Sequence, residues 1–450
     1  MIVSTVILAA GQGTRMRSEL PKVLHPLAGR PLVDYSLRLA AGLSDELPVV
    51  VVGYGADAVR QAVGERALFA IQVRQLGTAH ALQSAESLLA GQVDLVVVIS
   101  ADMPLFTHAT LQRLVEIQSN NPGPLTMLTV IQEDSHGFGR ILRGEDGAIM
   151  AIVEEAHATS EQLAIKEVNV GAYCFSSSWL WPALRRIPIS PKGEYYLTDT
   201  VGLAVQAGRR VEALVLEDPD EAIGINTRVH LAEAETILRK RVNTAWMLEG
   251  VTLVDPASTY IEPDVHIGQD TIIYPNTALR GQTVIGVDCC LGPNTLIRDS
   301  QVGSRSTVVA SILEGATLED EVKVGPFVHL GEKASLAART VVANFSDIQS
   351  SYLDSAVSAG PFTCLSNTTV GENVRLGVGA ITCSPDGKTR QATVIGQGAT
   401  IAAKTTLVAP VKVGDGAHTA IGSVVTEDIP AETMAMVAPA KAARPRRKRG

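Results

Sequence analysis

An aliphatic residue recurs every six positions through much of the second half of the chain. Ile261, Ile267, Ile273, Leu279, Ile285, Leu291 and Ile297 stand in unbroken register. So do Leu318, Val324, Leu330, Leu336, Val342 and Ile348, and the spacing returns at Ile395, Ile401, Leu407 and Val413. A helix buries residues three or four apart and a strand buries every second one, so this period fits neither alone. It fits short strands joined by tight corners, each coil stacking its aliphatic side chains on those of the next, as in a parallel β-helix. Glycine often follows, as in Ile267-Gly268, Ile285-Gly286, Val324-Gly325 and Val413-Gly414.

The first half has a different texture. Apolar, β-branched runs at 3–8, 48–52 and 94–100 alternate with helical stretches at 31–41, 56–63 and 79–89. A shorter strand-like segment is read at 72–74. Strands separated by helices imply βαβ units around a mostly parallel sheet. Ligands of such sheets sit beyond the carboxyl ends of the strands, which here means residues 9–15 and Asp102. Leu231, Ala234, Leu238, Val242 and Trp246 follow near-helical spacing and read as a connecting helix. The domains expected are therefore 1–227, a connecting helix at 228–250, the β-helix at 251–437 and a basic tail at 438–450. The run at 444–449 reads as solvated.

A chain of 450 residues is too long for one ordinary domain. Hydrophobic content of 46% against 19% charged supplies large cores. A net charge of −9 argues against nucleic acid as a partner. Cys174, Cys289, Cys290, Cys364 and Cys383 form neither CxxC pairs nor a His/Cys metal spacing, which suits free thiols in a reducing cytoplasm. The apolar N-terminal run is about nine residues, too short to span a bilayer. The expectation is a cytoplasmic protein with no membrane or nucleic-acid partner.

The segment Leu8-Ala9-Ala10-Gly11-Gln12-Gly13-Thr14-Arg15-Met16 follows a strand directly. Its glycines let backbone N–H groups approach a phosphate, and Arg15 and Lys22 add two cations nearby. No Gly-Lys-Ser/Thr follows, and Met16 stands where a dinucleotide fingerprint needs its third glycine. These residues, with Leu20-Pro21-Lys22-Val23-Leu24, resemble the signature of sugar-nucleotide pyrophosphorylases. The nearest resemblance is to the bacterial bifunctional N-acetylglucosamine-1-phosphate uridylyltransferase/glucosamine-1-phosphate acetyltransferase family. It extends in order through Gln72 and Gln75-Leu76-Gly77-Thr78-Ala79-His80, Asp102-Met103-Pro104-Leu105, and Gly137-Phe138-Gly139-Arg140-Ile141. It continues through Ile152-Val153-Glu154-Glu155, Val168-Asn169-Val170-Gly171, Gly193–Asp199 and Gly224-Ile225-Asn226-Thr227-Arg228.

The resemblance implies a Rossmann-like α/β nucleotidyltransferase domain of the GT-A type, followed by a left-handed parallel β-helix of hexapeptide repeats. It implies that Leu8, Ala9, Ala10, Gly11, Lys22, Gln72, Gly77 and Thr78 hold UTP, with Arg15 and Lys22 facing its triphosphate. It implies that Gly139, Glu154 and Asn169 hold the sugar of N-acetylglucosamine-1-phosphate, and that Asp102 and Asn226 ligate Mg²⁺. It further implies a homotrimer and a product used in peptidoglycan synthesis. The nucleophile, a sugar phosphate oxygen, is already an anion, so the chemistry calls for positioning and charge stabilisation and needs no base. One departure lies beside the metal site, where Ser100-Ala101 replaces the family's Tyr-Gly.

The departures are heavier in the β-helix. Pro361 stands where the acetyltransferase family has its catalytic His, and proline has no proton acceptor on its side chain. Gly331 and Gln349 replace phosphate-binding cations, Cys364 a Tyr, Arg375 an Asn, Ser384-Pro385 an Asn-Tyr pair, Ala403 a Ser and Ala438 an Arg. The expectation is uridylyl transfer on an assembling β-helix, with acetyl transfer lost. The alternatives are a fully bifunctional enzyme whose acetyl transfer is carried by residues the sequence does not identify, a pyrophosphorylase for another sugar-1-phosphate with a regulatory β-helix, and an inactive scaffold. His329 is the one nearby histidine that could substitute as the base.

Overall fold

The computed structural model describes residues 1–133, 135, 137–384 and 391–436. Pro385, Ala438 and the basic run at 444–449 lie outside the described residues. The chain divides into two compact units, Met1–Leu238 and Arg239–Gly450.

The first unit is built on a nine-stranded mixed sheet. Its strands are β1 (Val3–Ala9), β2 (Val49–Val52), β3 (Leu68–Ile71), β4 (Leu95–Ser100), β5 (Leu125–Ile131), β6 (Arg140–Arg143), β7 (Ile149–Val153), β8 (Glu167–Ser176) and β9 (Val211–Val215). The main order is β9–β5–β8–β4–β1–β2–β3. The four strands β3, β2, β1 and β4 run parallel. All four valines of β2 are fully buried, as expected where helices cover both faces. Antiparallel β8 is inserted between β4 and β5, and carries β6 and then β7 on its outer part.

Two local readings shift. The strand expected at 72–74 is instead β3, four residues earlier, in register with Val49–Val52. β3 is an edge strand of four apolar residues with Leu68 and Ile71 exposed, and so short an apolar run without inside–outside alternation does not mark a strand by periodicity. The helix expected over 79–89 is two short helices, Thr78–Gln83 and Glu86–Leu89.

In register, Leu8 of β1 lies opposite Ser100 of β4. Parallel neighbours end at the same edge of a sheet. The glycine loop after β1 and Asp102 after β4 therefore emerge together, although about ninety residues of chain separate them. Among the described residues no helix is long and apolar enough to cross a membrane.

The second unit is a left-handed parallel β-helix with three faces, of 11, 10 and nine strands. Every aliphatic residue of the six-residue series points into one continuous core, and none is more than 8% exposed. The register gap between Ile297 and Leu318 is filled by Val302, Val308 and Leu313, all buried. Three corners there are one residue shorter, so the coil continues while the strict period lapses.

Two further periodic signals accompany the first. A buried Ser or Thr sits two residues before many inward aliphatics, as at Thr277, Ser311, Ser346 and Thr363. Ser311 shows why: its hydroxyl donates to Val309 O at 2.7 Å and accepts from Val328 N at 3.1 Å, satisfying a corner and the next coil at once. A left-handed backbone residue sits three before, as at Asp270, Asn276, Asn294 and Phe345. The helix Arg228–Leu248 links the units in sequence, and its Val242 and Trp246 pack on the β-helix core.

Candidate active site

A cleft of about 800 Å³ opens in the first unit at the carboxyl ends of β1 and β4. Thirteen of the fourteen residues named from the sequence line it: Leu8, Ala9, Ala10, Gly11, Arg15, Lys22, Gln72, Gly77, Thr78, Asp102, Glu154, Asn169 and Asn226. Gly139 is not among the lining residues. It stands in the wall, where its carbonyl accepts from Asn169 N at 2.8 Å. A Cβ there would lie 2.7 Å from Ile152 Cγ2.

At Gly11 a Cβ would meet nothing within 4 Å, so its backbone faces open space. Gly13 is left-handed, with φ +65°, and a Cβ there would fall 2.6 Å from Lys22 Cβ. This glycine lets the Lys22 segment close against the loop. Pro21 is seated on Gly55, where a Cβ would fall 2.4 Å from Pro21 Cγ.

The charged centre lies below this loop. Lys22 Nζ is in close contact with Asp102 Oδ2 and donates to Asn226 Oδ1 at 3.2 Å. Arg15 Nη2 donates to the same Asn226 oxygen at 3.0 Å. Ile225 N donates to Asp102 O at 2.8 Å, which ties the segment carrying Asn226 to the end of β4. Among the described residues no group of three or more His, Cys, Asp and Glu is placed to hold a metal. Asp102 and Asn226 are the convergent pair of hard oxygen donors here. Such a partial set suits a cation that takes its other ligands from phosphate and water.

At one end of the cleft, Gln72 Nε2 donates to Gly77 O at 3.0 Å and meets His80 Nδ1 at 3.1 Å. Gly77 has φ +102°, and a Cβ there would fall 2.4 Å from Tyr195 O. Segments 76–79 and 195–197 are zipped together: Tyr195 N donates to Leu76 O at 2.8 Å, Ala79 N to Tyr195 O at 3.0 Å, and Leu197 N to Thr78 Oγ1 at 3.0 Å.

At the other end β8 is irregular between Asn169 and Tyr173. Asn169 Oδ1 accepts from Gly171 N and from the Tyr173 hydroxyl, both at 3.1 Å. Burial raises the Tyr173 phenol well above its ordinary range, so it stays a donor. Thr198 Oγ1 donates to Glu154 Oε1 at 2.9 Å. The Asp199 carboxyl is raised first by burial and then by the charge of Glu154. Sequence reasoning did not assign Gln75, Glu194, Tyr196, Thr198, His230 or Glu233 to the cleft, which they also line. Thr198 and Tyr196 sit inside a quoted motif, but no spacing rule reveals that Thr198 reaches back 44 residues to Glu154.

In the β-helix, His329, Asp347 and Cys364 stand opposite one another on successive coils. His329 Nδ1 lies 3.1 Å from Asp347 Oδ1, and its Nε2 3.7 Å from Glu314 Oε2. Gly331 and Gln349 lie on the same face, and a Cβ on Gly331 would be 3.1 Å from Gln349 Cγ. Pro361 occupies a corner beside Phe362, which stacks on Phe345 with centroids 5.1 Å apart.

Residues 5–194 match the MobA-like NTP transferase domain family. The whole chain is similar to curated proteins named bifunctional protein GlmU. That of Exiguobacterium sibiricum is 43% identical over 432 residues, covering 96% of each chain. That of Heliobacterium modesticaldum is 43% identical over 434 residues, 96% of this chain and 95% of the relative. That of Bacillus velezensis is 40% identical over 432 residues, with the same coverage.

Proposed function

The chain belongs to the bifunctional GlmU family and is a sugar-1-phosphate nucleotidyltransferase, and we propose that it transfers UMP from UTP to N-acetylglucosamine-1-phosphate. The products are UDP-N-acetylglucosamine and pyrophosphate. The observation that carries this reading is the convergence of the glycine loop, Arg15, Lys22, Asp102 and Asn226 at one end-of-sheet cleft.

The sugar phosphate oxygen attacks the α-phosphorus of UTP. The new P–O bond forms as the bond from Pα to the bridging oxygen of pyrophosphate breaks. The cost lies in bringing two polyanions together. Backbone N–H groups of Leu8 to Gly11 and the side chain of Gln72 hold the nucleoside, and the Gly77 turn shapes the pocket around it. Arg15 and Lys22 meet the triphosphate charge as it shifts toward the leaving group. Glu154, held by Thr198, and Asn169, held by Tyr173, fix the sugar, so its phosphate presents one oxygen to the reacting phosphorus. Mg²⁺, when bound by Asp102 and Asn226, supplies charge neutralisation and in-line orientation. Gly139 acts from the wall, by holding the Asn169 backbone in place.

Glu154 and Asn169 favour an N-acetylated sugar. The test is pyrophosphate release with a panel of sugar-1-phosphates against UTP and dTTP. Turnover should be highest with N-acetylglucosamine-1-phosphate and UTP. A clear preference for glucose-1-phosphate or dTTP would replace this reading with that of another pyrophosphorylase.

The same proposal assigns residues 1–227 to transfer, the β-helix at 251–437 to homotrimer assembly, and the protein to the cytoplasm. Acetyl transfer, the second activity that the family resemblance implies, is lost in this reading. Supporting this are Pro361 in place of a base, the lack of cationic side chains at Gly331 and Gln349, and the substitutions at Cys364, Arg375 and Ala403. His329 lies between the carboxylates of Asp347 and Glu314, whose negative charge disfavours a sugar phosphate there.

A further inference from the structure

Lys22 stands where a metal would stand. Its ammonium contacts Asp102 Oδ2 and lies 3.2 Å from Asn226 Oδ1, with the two side chains of the ion pair only 13% and 18% exposed. These are the oxygens assigned to the divalent ion above, and the inference rests on that assignment. A magnesium-sized ion sits about 2.1 Å from its oxygen ligands. An ammonium left on the same two oxygens would then be on the order of 3 Å from it, in a recessed site where like charges are poorly screened. The two cations exclude each other.

We infer that Lys22 is a resident counterion that holds the metal locus closed in the free enzyme and yields it only when phosphate draws the ammonium away. The backbone around Lys22 is fixed. Leu24 N donates to Pro21 O at 2.9 Å, His25 N donates to Lys22 O at 3.2 Å, and Pro21 is seated on Gly55. Movement is therefore confined to the flexible four-carbon stem. That stem runs along the glycine loop, since a Cβ on Gly13 would lie 3.3 Å from both Lys22 Cγ and Cδ. The loop is where the triphosphate is expected, so the ammonium exchanges a carboxylate for a phosphate by a side-chain swing. Arg15, on the same Asn226 oxygen, is released with it.

Two consequences follow. Metal alone competes with Lys22 and binds weakly. Metal and nucleotide favour each other's binding, and the coupling is reciprocal. Lys22 is thus a positioning residue for the metal as well as a cation for the phosphates.

The test is Mn²⁺ binding by the full-length protein, followed by the paramagnetic resonance signal of free Mn²⁺, with and without UTP. The wild type should bind Mn²⁺ weakly alone and at least about tenfold more tightly with UTP. Lys22→Met keeps the stem and removes the charge. It should bind Mn²⁺ about tenfold more tightly than wild type without UTP, and lose most of the synergy. Lys22→Gln serves as a second variant expected to behave the same way. Adding Asp102→Asn to Lys22→Met should abolish the gained affinity. Lys22 variants that bind Mn²⁺ no more tightly than wild type, while Asp102→Asn alone abolishes UTP-dependent binding, would overturn the lock and leave the metal assignment standing. Undiminished UTP-dependent binding in Asp102→Asn would overturn the metal assignment itself.

Discussion

Gly77 is held by two requirements at once. Its φ of +102° lies in a region side chains avoid, and a Cβ would strike the Tyr195 carbonyl at 2.4 Å. Gly77→Ala should therefore cost about 1–3 kcal/mol of stability through strain at this turn. It should also raise the KM for UTP, because the turn forms the nucleotide end of the cleft. Thermal denaturation with initial-rate kinetics checks both; an unchanged KM would detach the turn from nucleotide binding. Arg15 makes a different kind of contribution. Its guanidinium donates to Asn226 in the free site, next to where the triphosphate is expected. Arg15→Ala should lower kcat more than it raises the KM for the sugar phosphate, by about 3 kcal/mol, the cost of one preorganised donor. A pure KM effect would reduce Arg15 to ground-state binding.

Elements matter through their ends and their stacking. β1 and β4 bring their carboxyl termini to one edge because they are parallel neighbours in register, so one pairing unites the phosphate loop with Asp102. In the β-helix each coil is stable only on its neighbours, and its inward aliphatics form one column. Ile348, fully buried in that column, tests this. Ile348→Ala should destabilise the β-helix by about 2–5 kcal/mol, through lost burial and a residual cavity. Chemical denaturation of the full chain should show the β-helix transition moving to lower denaturant, with that of the first unit in place. A loss much under 1 kcal/mol would mean that the coils relax around the gap.

At the scale of the molecule, two units with separate hydrophobic cores carry separate fates. The amine of glucosamine-1-phosphate attacks a thioester only as the free base, so some group must accept its proton. Pro361 cannot, and loss of a general base costs about 10²–10⁴-fold. The full-length chain given acetyl-CoA and glucosamine-1-phosphate should therefore release no thiol above background. With UTP it should make UDP-N-acetylglucosamine only from the already acetylated sugar phosphate. Robust CoA release, abolished by His329→Ala, would restore the bifunctional reading.

What the sequence determined by itself was everything that repeats or is local. The six-residue period could be read as stacked coils because each inward residue meets the same surroundings one coil later, and the glycine loop could be read because φ > 0 and close approach are written in residue type. The lapse of that period after Ile297 hid only shortened corners, since Val302, Val308 and Leu313 continue the core. The edge strand Leu68–Ile71 escaped because its four apolar residues, two of them exposed, carry no inside–outside alternation to mark a strand. Tertiary structure decided which distant groups meet. Lys22 reaches Asp102 and Asn226 across 80 and 204 residues, and Thr198 reaches Glu154 across 44. Those contacts depend on where strand ends emerge and on how far a flexible side chain extends, and neither quantity has a period in the chain.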